Sequence, residues 1–104
     1  MIMNATQTLP LEQIVIQAQY AGNIAVETFL LTHREPMYCG SAYLYSVKPK
    51  PRTRTNKVVV DQKYWPTGFC ARSQSLDLHE MWCDAAEKVF KANGIEVRRK
   101  SWVD

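Results

Sequence analysis

The chain is short of the residues that most often betray an activity. It has three cysteines, an odd number, and no two of them are spaced C-x-x-C, so neither a disulfide framework nor a zinc knuckle is written into it. Its four glycines are scattered, which excludes the glycine-rich loop that cradles phosphates with backbone amides. Residues 36–60 contain no acid at all. No run approaches the roughly 18 consecutive apolar residues of a membrane span. Met1 to Gln13 has neither the cationic head nor the apolar core of a signal peptide, and a cytoplasmic location is the expectation.

What remains is the composition of one ordinary domain. At 104 residues, 46% hydrophobic and 22% charged, the chain is long enough for a single core and too short for two. A single domain over 1–104 is expected, with 1–8 as a loose lead-in. The net charge of +3 hides an uneven distribution. The first third is acidic through Glu12, Glu27 and Glu35, and the last third is nearly balanced. Seven cations against Asp61 alone place the positive field in residues 36–76, and a polyanion is the natural partner of such a field.

The hydrophobic periodicity predicts a first helix over Leu9–Leu31, with Leu11, Ile14, Val15, Ala18, Ala21, Ala25 and Phe29 on one side. A second apolar line, Ile16, Tyr20 and Ile24, lies on the other side and suggests a homodimer face. A hairpin turning at Gly22-Asn23 is the competing reading. Strands are predicted over Met37–Val47 and Lys57–Trp65, a short third over Phe69–Arg72, and a last one over Ile95–Val103. Between these, Asp77-Leu78-His79-Glu80 has the form of a capping box, with Leu76 and Met81 as its staple, and opens a second helix. Its predicted stripe is Leu78, Met81, Trp82, Ala85 and Val89, with Asp84/Lys88 and Glu87/Lys91 pairs outside and Asn93-Gly94 as the stop. The expected fold is α+β in the order α-β-β-β-α-β, two helices on a small, mostly antiparallel sheet with a basic hairpin arm.

That arm is residues 48–57. Lys48, Lys50, Arg52 and Arg54 fall on every second residue, so an extended backbone would turn all four the same way, and Lys57 follows. Pro49 and Pro51 keep the stretch at a sheet edge or beyond it. With Tyr43, Tyr45, Tyr64 and Trp65 nearby, and with the run Arg98, Arg99, Lys100, it suits phosphate contact plus base stacking. Trp65 and Trp102 also sit where an aromatic can anchor a protein interface.

The element order matches double-stranded RNA-binding domains, but Asp77 and Glu80 at the start of the second helix would repel phosphate, and that family is not carried over. Val58 to Lys63, an apolar strand running into D-x-K, together with Gly94 to Arg99, resembles the back half of small PD-(D/E)xK nucleases, including their VRR-type modules. That resemblance would make Asp61 a metal-holding acid and Lys63 the group orienting the attacking water. His79 and Cys83, at i, i+4 on one helix, could join Cys39 and Cys70 on zinc, but cysteines acting as small core hydrophobes with His79 as a rim residue are the preferred reading. The leading expectation is a non-enzymatic protein without cofactor that binds nucleic acid through Lys48, Lys50, Arg52, Arg54, Lys57, Tyr45, Trp65, Arg98, Arg99 and Lys100. The rival class is a protein-binding inhibitor or adaptor of the phage or mobile-element accessory type, using the same hairpin. A degenerate nuclease module comes third.

Overall fold

The computed structural model describes residues 9–47 and 60–103. Element order is α1 (Leu11–Leu30), β1 (Gly40–Val47), β2 (Val60–Tyr64), a 3-10 turn (Gly68–Ala71), α2 (Leu76–Ala92) and β3 (Val97–Val103). The three strands form one antiparallel sheet in the order β2-β1-β3. Both helices lie on the same side of it. α2 rests directly on β1 and β3, α1 packs on α2, and the first turns of α1 stand beside β2 across a cleft of about 420 Å³ lined by Leu11, Val15, Ile16 and Tyr64. This is a single α+β domain, as the periodicities predict. The basic arm, with Lys48, Lys50, Arg52, Arg54 and Lys57, lies outside the described residues.

α1 is one continuous helix and not a hairpin. Gly22 is buried in its middle, where a Cβ would lie 2.5–2.6 Å from three atoms of the Trp82 indole. Its missing side chain therefore sets how closely α1 approaches α2. Asn23 then accepts hydrogen bonds at Oδ1 from Trp82 Nε1–H (3.1 Å) and from the Thr67 hydroxyl (3.0 Å). The two residues that look like a turn in one dimension are thus the hinge point of helix packing. Ile14, Ala18 and Val26 complete the buried side of α1.

α2 departs from its predicted start. Ser75, not Asp77, is the N-cap: its hydroxyl accepts from Leu78 N–H, and Asp77 falls in the first turn, where a negative charge suits the helix dipole. The helix thereby begins earlier, and its buried side turns toward Leu76, Leu78, Trp82, Cys83, Ala86 and Phe90, with Met81 and Val89 only partly covered. At its other end Gly94 takes φ +77°, Ile95 N–H reaches Phe90 O (2.9 Å) and Gly94 N–H reaches Lys91 O (3.0 Å), a Schellman stop. Glu87 and Lys91 pair at 2.9 Å as predicted, whereas Asp84 reaches across to Arg99 on β3 in place of Lys88.

The short third strand predicted over Phe69–Arg72 is instead the 3-10 turn. Gly68 adopts φ +63°, and the i to i+3 bonds from Arg72 N–H to Phe69 O (3.1 Å) and from Ser73 N–H to Cys70 O (3.2 Å) use the backbone groups a ladder would need. Fully buried Trp82, Phe90, Ile14, Leu44, Leu78 and Val26 fill the interior, each contributing about 1.5–3 kcal/mol relative to exposure.

Candidate functional site

Strand alternation sorts the sheet into two unlike faces. Ala42, Leu44, Tyr64 and Val97 point toward α2, where Tyr64 lies against Phe90 with ring centres 4.8 Å apart. On the other face β1 presents Tyr43 and Tyr45. β3 presents Arg98, Lys100 and Trp102 beside them, in the register Tyr45↔Arg98, Tyr43↔Lys100 and Ser41↔Trp102. β2 contributes Lys63 opposite Tyr45, and the chain just past it contributes Trp65. Among the described residues no element covers this second face.

Its aromatic groups form one cluster. Tyr43, on the central strand, is the floor: its ring is 4.4 Å from Trp65 and 5.8 Å from Trp102. The two indoles meet above it at 6.1 Å and 84°, an edge-to-face pair. Tyr45 continues the row at 6.1 Å from Tyr43. Tyr43 is only 8% exposed because its neighbours cover it, while Trp65 and Trp102 remain 47% and 37% exposed. Lys63 carries its ammonium 5.2 Å above the Tyr43 ring, a cation-π contact that holds the charge over the cluster. Arg98 and Lys100 line the β3 side. Glu96 pairs loosely with Arg98 at 3.6 Å.

Of the residues singled out for binding, the structure thus brings together Tyr45, Trp65, Arg98 and Lys100. Arg99 does not join them. It lies on the α2 side, held by Asp84, because neighbouring residues in a strand point to opposite faces. Tyr64 is separated from the other aromatics for the same reason. Tyr43, Lys63 and Trp102 belong to the cluster, and period-two alternation along β1, β2 and β3 was the signal that could have found them. The Asp61 side chain lies outside the described residues, and Lys63, its partner in D-x-K, is engaged over Tyr43.

His79 and Cys70, two of the four candidate zinc ligands, have other partners. His79 is buried: two carbonyls, Cys70 O at 2.8 Å and Ser73 O at 2.9 Å, face Nε2, which must therefore carry hydrogen, and Nδ1 meets the Ser41 hydroxyl at 2.9 Å. The Cys70 thiol donates to Leu78 O, Cys83 is fully buried, and Cys39 is exposed. Among the described residues no group of three or more His, Cys, Asp or Glu side chains is arranged to hold a metal. Burial pushes the Cys70 and Cys83 thiols up to about 12, with Glu35 adding to the effect at Cys70. Such thiols are inert near neutral pH.

On the outer side of α1, Ile16, Tyr20 and Ile24 are 56%, 68% and 43% exposed, as the second apolar line requires. Among the described residues no helix is long and apolar enough to cross a membrane. Compared with known protein families, curated proteins and solved structures, the chain has no significant match. What the sheet face can do is therefore read from its own chemistry.

Proposed function

We propose that the protein binds nucleic acid on the open face of its sheet. The observation that carries this reading is the coincidence, on one face that no described element covers, of two half-exposed tryptophans on a tyrosine floor with Lys63, Arg98 and Lys100 around them. Cations alone would suit any polyanion, and aromatics alone any apolar surface. Alternating rings and cations suit a ligand that itself alternates flat bases with phosphates. In sequence, five further cations, Lys48, Lys50, Arg52, Arg54 and Lys57, stand between β1 and β2.

The test is retention on immobilised nucleic acid as salt is raised, with wild type beside a Lys63→Ala/Lys100→Ala variant. Wild-type retention at low salt that collapses by moderate salt, together with earlier elution of the variant, supports the proposal. Absence of retention at low salt refutes it and turns attention to an acidic protein partner for the same surface.

A further inference from the structure

We infer that the ligand of this face is a single strand, with one base stacked on Trp65 and a second on Trp102. This rests on the nucleic-acid reading above and narrows it. A duplex stacks its bases on each other and leaves none of their flat faces to a side chain. Its major groove, about 12 Å wide, admits a helix or a two-stranded ribbon. This surface is three strands across and crested with indoles, too broad to enter a groove. A strand whose bases are splayed apart meets neither obstacle.

The ring geometry fixes how the stacking is shared. Two indoles at 84° cannot close on one base as parallel plates. Each must use its own free surface, so successive bases take different rings. Tyr43, buried beneath both, supports them without stacking. Lys100, two residues before Trp102 on β3, and Lys63, two residues before Trp65 at the end of β2, accompany each indole with a cation on the same face. Every stacking ring thus has a phosphate partner one side chain away along its strand. The third tryptophan, Trp82, is 1% exposed and hydrogen-bonded to Asn23, and reports nothing but the core.

Tryptophan emission and fluorescence anisotropy during titration of the full chain test this. Three probes of equal length are used: oligothymidylate, its duplex with oligoadenylate, and an abasic strand carrying the same phosphates. Oligothymidylate should quench the exposed tryptophans and bind about 5- to 150-fold more tightly than the abasic strand for each stacked base. The duplex should bind more weakly and leave the emission unchanged. Trp102→Leu should lose the advantage of one base and Trp102→Phe restore part of it, with the Trp82 signal confirming the fold of both. Equal binding of the abasic strand, or a duplex that binds as tightly and quenches as strongly, overturns the single-strand inference while leaving nucleic-acid binding intact. No binding of any probe at low salt overturns the underlying reading as well.

Discussion

Replacing Gly22 with alanine sets two opposed effects against each other. In an exposed helix the change would stabilise by about 1 kcal/mol, since alanine is the better helix former. Here the added methyl would fall 2.5–2.6 Å from the Trp82 indole, and Trp82 is 1% exposed in the core. Overpacking a closed core costs about 1–3 kcal/mol. Displacing the indole also loosens the 3.1 Å bond from Trp82 Nε1–H to Asn23, worth about 1 kcal/mol. The expected net loss is about 1–3 kcal/mol, which at about 4–8 °C per kcal/mol for a domain of this size is readily measured by calorimetry or circular dichroism. Adding Trp82→Phe should make Gly22→Ala less harmful, because the smaller ring leaves room for the methyl, and a double-mutant cycle would register the coupling. A Gly22→Ala protein melting at or above the wild-type temperature would show that α1 and α2 do not meet at this point, and the helix packing described above would be wrong.

Other expectations can be checked with little material. Arg99→Ala should leave nucleic-acid affinity unchanged while Arg98→Ala and Lys100→Ala weaken it, because only the latter two share the aromatic face; filter binding would separate them, and equal losses would contradict the sorting. The salt dependence gauges the reach of the ligand. The three cations of the face alone imply a slope of log K against log salt of about −2 for a single strand, and engagement of the five cations in residues 48–57 would steepen it to about −5 to −6. Thiol titration at pH 8 should modify Cys39 quickly and Cys70 and Cys83 only after unfolding. Because burial raises the latter two from 9.0 to about 12, their contribution to stability is complete below about pH 9 and is lost as pH climbs through 12, visible as a falling denaturation midpoint in alkaline urea melts.

The fold was largely legible because its periods are strong. The helical recurrence of Ile14, Ala18 and their neighbours and the Glu, Gln, Ala and Leu content of the stretch outweighed the turn chemistry of Gly22-Asn23, although the buried side runs through Gly22 and Val26 in place of Leu11, Ala21 and Ala25, and only the tertiary contact with Trp82 explains why a glycine stands there. The cap was misread because Asp77 and Ser75 both suit an N-cap, and the choice falls to Ser75 through its bond to Leu78 and the flanking bridge of Cys39 to Ser75 beside β1. The 3-10 turn was missed because Phe69 and Cys70 look like strand residues until the positive φ of Gly68 is known. As for the site, proximity in sequence misled. Arg98, Arg99 and Lys100 form a block in one dimension but two groups in three, and Tyr43, Lys63 and Trp102 come from three separate stretches that only the register of β2-β1-β3 aligns.

That register also gives the open face a gradient. Trp102 stands level with Ser41 near the beginning of β1, Lys100 with Tyr43 and Trp65 just past Tyr64 in its middle, and Arg98 and the base of Lys63 with Tyr45 toward its end. A ligand laid along β1 would exchange stacking for ionic contact as it passed, so its two ends would answer to different solvents: salt would peel it from one end, and loss of bases would free the other.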